Sequence, residues 1–179
     1  MKESIRISKL DAAKRQLETA VRIYFSNGDP VSIHTLVSAS YNIIKDINKK
    51  REGKPMLVKE VMIEFVKPEY QKMIKGIFNE AENFFKHANL DSEKSLDFNP
   101  ELSELLMLDA ISHYYGLTGE DSPLFQIFRA WYIINNPLMF NLPEETKRMM
   151  GSFDSESIKA LGKSAYFNLM LPTAMKLIG

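Results

Sequence analysis

Apolar residues recur at helical spacing along almost the whole chain, and the pattern predicts a series of helices with no strand. Leu10, Ala13, Leu17, Val21, Tyr24 and Phe25 form the stripe of a first helix from Ser8 to about Asn27, closed by Gly28. Ile33, Val37, Ser40, Ile44 and Ile47 mark the core face of a second, from Pro30 to about Lys50. The break between them is too short for anything but an antiparallel helical hairpin. A shorter helix is predicted over Met56 to Val66. The next runs from Pro68 to His87 or Ala88, with Tyr70, Met73, Ile74, Ile77, Phe78, Ala81, Phe84 and Phe85 as its buried stripe.

Asn89 to Asn99 reads as a polar, acidic loop carrying Asp91, Glu93 and Asp97. Helices follow from Pro100 to about Tyr115 and from Pro123 to about Asn135. Asn136 to Phe153, with Pro137, Pro143 and Gly151, has room for one short helix. A last helix from about Ser155 to Ile178 contains Gly162 and Pro172, and the proline predicts a kink near Leu171. Asp29-Pro30, Asn99-Pro100 and Ser122-Pro123 each pair a capping side chain with proline at the first helical position. The fold class expected is all-α: a compact multi-helix bundle, one domain over residues 1–179. The final stretch, with Met149, Met150, Phe167, Met170, Met175 and Ile178, is apolar enough to close the core or to supply a dimer surface.

Charge narrows the choice of partner. Lys plus Arg and Asp plus Glu are both 23, so no global field draws in a phosphate backbone. The nearest basic patch is Lys45, Lys49, Lys50, Arg51 and Lys54, which also reads as a solvated helix C-terminus. The chain has no cysteine, which removes thiolate chemistry and zinc–thiolate sites and fits a reducing, cytoplasmic setting. Met1 to Leu10 alternates charged and apolar residues, so no signal peptide is expected there. No apolar run reaches the ~18 residues that a membrane span needs. A homo-oligomer or a protein partner is expected ahead of nucleic acid, and the sequence leaves the cofactor unknown.

Candidate chemistry rests on a few polar residues beside the apolar stripes. Glu80, Asn83 and His87 share one row by steps of three and four, flanking the stripe of their helix. A half-sheltered imidazole there suits acid/base or hydrogen-bonding work, or a simple helix-end cap. His34 falls at the edge of the second helix's core face, near Tyr41, where a hydrogen-bonded boundary histidine is the plainer reading. Asp109 and His113 are four apart on the face of Leu102, Leu105 and Leu106. A carboxylate on that face must be paired. The two either bridge one another or supply two metal ligands, completed by His34, Glu80 or His87 from other helices. Phe125, Phe128, Arg129, Trp131 and Tyr132 read as core aromatics rather than a base-stacking platform.

Two resemblances add to this. The runs Ile7 to Ala20, Gly28 to Leu36, Glu82 to Ala88 and Leu96 to Leu102 resemble a bacterial conserved hypothetical protein family of unknown function. That resemblance implies helical structure and draws attention to His34, Asn83, Lys86 and His87. Asn83-x-x-x-His87 also resembles the latter part of the motif of HEPN domains, helical bundles often found in RNases. It implies His87 as general acid/base, Asn83 as its orienter and Lys86 as a phosphate contact. Glu80, Ala81 and Glu82 stand where the family carries arginine, which removes the bidentate phosphate partner and leaves a HEPN-like binding module as the implied alternative. The function expected is therefore binding of a partner protein or small ligand through a polar pocket of His34, Glu80, Asn83, Lys86, His87, Asp109 and His113. A HEPN-like RNase or a metal-dependent enzyme is the alternative.

Overall fold

Ser8 opens the first helix by accepting the Asp11 amide on its hydroxyl at 3.0 Å. In the computed structural model this helix, α1, spans Lys9–Phe25. The residues described are 4–65, 67–88, 92–141, 144 and 155–176. Their regular elements are all helical, with no strand among them. None of the described helices is long and apolar enough to cross a membrane.

The end of α1 corrects the expected glycine stop. Asn27, not Gly28, takes the left-handed conformation, with φ 54°. Asn27 N–H then reaches Tyr24 C=O and Gly28 N–H reaches Ile23 C=O, the two bonds of a Schellman turn. Gly28 is needed for closeness: a Cβ there would lie 2.6 Å from Ile23 Cγ2.

Helix α2, Pro30–Lys50, starts as predicted, with Asp29 accepting the Ser32 amide at 2.7 Å. The predicted helix over Met56 to Val66 becomes a π-helical turn, Leu57–Val61, running into a short α3, Met62–Glu64; Val66 lies outside the described residues. Helix α4 spans Pro68–Lys86 and α5 spans Glu101–Thr118. The latter runs three residues past the expected Tyr115, because the left-handed stop is Gly119 at φ 71°. Helix α6, Pro123–Asn135, matches its predicted bounds, although the Ser122 hydroxyl makes no cap and is buried without a partner among the described residues. A single 3₁₀ turn, Pro137–Met139, follows. In α7, Ser155–Lys176, the helix breaks at Gly162 (φ 72°, ψ 160°) and not at Leu171. Pro172 sits within the helix. Pro143, Met149, Met150, Gly151 and Ile178 lie outside the described residues.

The backbone groups into two compact units, one of residues 1–20 and 29–120, the other of 21–28 and 121–179. In the first, α2 packs chiefly on α5 and also on α4, and the π turn contacts α3 and α5. Ile33, Val37, Tyr41, Ile44, Met56, Val58, Leu106, Met107 and Ile111 are buried there. In the second, α6 packs on α7. Its interior is aromatic: Phe25 stacks on Phe167 at 4.9 Å, and Trp131 lies 4.9 Å from Tyr166 and donates to Tyr24 Oη at 3.0 Å. The Phe125, Phe128, Trp131 and Tyr132 cluster is thus core, as expected.

One stripe is corrected. Of the apolar residues predicted to bury α4, Ala81 is buried and Phe84 and Phe85 are half-buried. Tyr70, Met73 and Ile77 are exposed at 52%, 56% and 53%. The side chains of Ile74 and Phe78 lie outside the described residues.

Candidate functional site

The chemistry-bearing groups of the first unit fall into three neighbourhoods, the first created by what the backbone leaves unsatisfied. The π turn presents amides that its own first turn cannot pair. Leu57 and Val58 donate theirs to the two oxygens of Asp109 at 3.1 and 2.9 Å. The Tyr41 hydroxyl donates to Asp109 Oδ2 at 2.9 Å and accepts the Lys59 amide at 3.2 Å. Glu60 reaches back to the Met56 amide at 2.7 Å. His113 completes the set, with Nδ1 at 3.1 Å from Asp109 Oδ1 and Nε2 at 3.3 Å from Pro55 C=O.

Electrostatics follow from those bonds. Burial pushes the Asp109 carboxyl up, but the bonds from His113, Val58 and Tyr41 outweigh it and hold the group below the usual aspartate value. The hydrogen bond to Asp109 raises His113 against the opposing effect of burial. Both of its ring nitrogens face oxygen acceptors, which favours imidazolium. Burial and the Asp109 charge raise Tyr41 far above the ordinary phenol value. Asp109 and His113 are therefore brought together as expected, as an internal bridge that anchors the π turn to α5.

His34 is the second neighbourhood. It is fully buried, with Nδ1 2.9 Å from Ser103 Oγ and its ring edge-on to Phe85 and Phe98. Burial first, then the Lys59 charge, lowers its pKa to about 4, so it is neutral at pH 7. Among the described residues Nε2 has no partner, and neither does the buried hydroxyl of Ser38 one turn further along α2. The metal reading of His34, Asp109 and His113 is not supported: His34 is bonded to Ser103 and the oxygens of Asp109 are taken by amides and Tyr41. Among the described residues no group of three histidine or carboxylate side chains stands ready to hold a metal ion.

The third neighbourhood centres on Glu82, which was absent from the expected pocket and noted in sequence only as standing where the HEPN motif carries arginine. Its carboxylate meets Lys59 Nζ at 3.2 Å and Lys86 Nζ at 2.9 Å, and accepts from the Asn42 amide. Lys59 also donates to Asn79 Oδ1 at 2.9 Å and lies 5.4 Å above the Tyr41 ring. Burial pushes Lys59 down while Glu82 opposes the shift. Burial pushes Glu82 up, but hydrogen bonds and charges from Lys86 and Lys59 hold it below the usual glutamate value. Lys86 is thus tied to Glu82. Glu80, Asn83 and His87, expected on a sheltered row, are exposed. His87 ends α4 in extended backbone, donating its own amide to Asn83 C=O.

A cleft of about 640 Å³ opens beside this network. Lys45, Asp46 and Lys49 of α2 form one wall. Lys59, Glu60, Ile63 and Glu64 of the π turn and α3 form the second, and Gln71, Lys75 and Asn79 of α4 the third. None of the seven residues expected at a pocket lines it. Lys45 and Lys49 were visible in sequence as part of a basic patch and read as a helix end. Comparison with protein-family models, curated proteins and solved structures gives no match.

Proposed function

We propose that the chain is a binding module that holds a small polar molecule in the cleft between α2, the π turn and α4. One observation carries the reading. The Lys59 side chain, 9% exposed, belongs to the cleft lining and is fixed by Glu82, Asn79 and the Tyr41 ring. A near-buried ammonium costs desolvation, so holding one in a concave wall, with its geometry set by three neighbours, suits recognition better than stability. The volume falls within the roughly 300–1,000 Å³ of ligand sites. The lining supplies ammonium, carboxylate and amide groups, which bind and orient rather than attack.

The test is amide NMR of labelled protein against a fragment library. Binders whose perturbations cluster on Lys45, Lys59 and Lys75, and which Lys59→Met weakens, support the cleft. A library that perturbs only other surfaces rejects it.

A second reading, a protein partner or a second copy on the outer face of α4, is favoured by the exposed Tyr70, Met73 and Ile77. They lie three and four apart on one face, the spacing of a helix-docking stripe. Light scattering of wild type and Met73→Glu tests it: a dimer lost in the variant supports it, and a wild-type monomer removes the homodimer. The RNA-directed role of Asn83, Lys86 and His87 draws less support, because Lys86 is engaged by Glu82 and none of the three lines the cleft.

A further inference from the structure

Counting which charges of the cleft are already used narrows its ligand. Glu60 is committed to the Met56 amide, and Lys59 to Glu82 and Asn79. Lys45 and Lys49, one turn apart on α2, and Lys75 on α4 form no ion pair among the described residues. Asp46 and Glu64 are likewise unpaired.

Three uncommitted ammonium groups on two walls exceed what one carboxylate can use, and match a phosphate, with its double charge and several acceptor oxygens. Walls of low dielectric focus their field into the cleft. Asp46 and Glu64 accept hydrogen bonds only, so they work against a bare polyanion and in favour of a ligand that brings hydroxyl donors. Ile63 gives the same lining an apolar contact.

Resting on the reading of this cleft as a binding site, we propose that its ligand is a small phosphorylated molecule bearing free hydroxyl groups, of the sugar-phosphate or nucleoside-monophosphate class. Lys45, Lys49 and Lys75 receive the phosphate, and Asp46 and Glu64 receive the hydroxyls.

Calorimetry and amide NMR of the full chain with AMP, adenosine, inorganic phosphate and spermidine decide it. AMP should bind at least about tenfold more tightly than adenosine or phosphate alone, a step of about 1.4 kcal/mol. Its perturbations should fall on the three lysines, and its affinity should drop as salt rises. A Lys49→Met, Lys75→Met double variant, both positions being exposed, should fold normally and lose most of that affinity. Asp46→Asn with Glu64→Gln should narrow the gap between AMP and phosphate. Equal affinity for AMP and phosphate overturns the hydroxyl assignment. Perturbation of the cleft by spermidine or adenosine but not by AMP overturns the ligand class and leaves the cleft standing as a site. Silence from all four probes, together with a fragment library that never touches the cleft, removes both.

Discussion

Tyr41 on α2 and Asp109 on α5 meet through a 2.9 Å hydrogen bond, and between them they receive three successive amides of the π turn. That relationship ties together three elements far apart in sequence and fixes where Lys59 emerges. Asp109→Ala would strand the Leu57 and Val58 amides and leave His113 without its counter-charge. The expected loss is about 3–5 kcal/mol, the cost of breaking a buried pair. Tyr41→Phe should cost about 1–3 kcal/mol, because it leaves the Lys59 amide unpaired. Urea unfolding measures both, and a loss under about 1 kcal/mol for Asp109→Ala would show that the turn is held by something else.

His34, buried, and His113, partly exposed, should titrate with shifts of opposite sign. His34, lowered to about 4, stays neutral in the folded state while the unfolded chain takes up its proton near 6.5. Its contribution is therefore full above pH 6.5 and lost as pH falls toward 4, by about 3 kcal/mol in total. His113 is raised, so its contribution is full below 6.5 and fades as pH rises through the raised value. Imidazole NMR titration resolves both; a His34 midpoint near 6.5 would contradict its burial beside Phe85 and Phe98.

Several features of this arrangement were legible in sequence and others were not, for identifiable reasons. Proline after a capping residue marked the start of α2, where Asp29 does cap, and proline alone marked that of α6, where the Ser122 side chain does not; both signals act within one turn. Stops were misplaced where two residues compete: Asn27 supplies the left-handed turn beside Gly28, and Gly119 takes the role that a stop near Tyr115 anticipated. The Asp109–His113 pair was visible because four residues make one helical turn. Its other partners, Leu57, Val58 and Tyr41, lie too far along the chain for any local pattern. Periodicity showed that α4 is amphipathic but not which edge of its apolar arc is covered. Assigning the whole arc to the core also placed Glu80, Asn83 and His87 in shelter. Lys59 escaped notice because the π turn shifts the i to i+4 register and a lysine on a short turn reads as solvent-facing, and Glu82, on α4, was read only as a replaced arginine because its partners Lys59 and Asn42 lie far away in sequence.

The outer edge of α4 offers a direct test of that correction. Met73→Ala and Ile77→Ala should each change stability by no more than about 0.5 kcal/mol, as surface substitutions do. Had the stripe been core, each would cost about 2–5 kcal/mol. Denaturant midpoints of the two variants separate these outcomes by a wide margin.

Gly162 breaks α7 with φ 72° and ψ 160°, a conformation that side chains rarely adopt. No described residue stands within 4 Å of a Cβ added there, so the cost of Gly162→Ala is conformational and not steric. It should be about 1–3 kcal/mol by calorimetry. An unchanged melting temperature would mean that the helix runs straight through this position.

The Lys59–Glu82 pair should respond asymmetrically to the loss of either partner. Removing the ammonium with Lys59→Met leaves Glu82 with Lys86 and Asn42, so its charge remains compensated. Removing the carboxylate charge with Glu82→Gln leaves Lys59 and Lys86 facing one another, with Asn79 still accepting from Lys59. The second substitution should therefore destabilise more, by about 3 kcal/mol against about 1 for the first, because only it strands a buried charge. Adding Lys59→Met to Glu82→Gln should recover part of that loss, which a double-mutant cycle reads as coupling. Equal costs for the two single variants, with no coupling, would mean that Lys59 is held by its stem and the Tyr41 ring and not by the carboxylate.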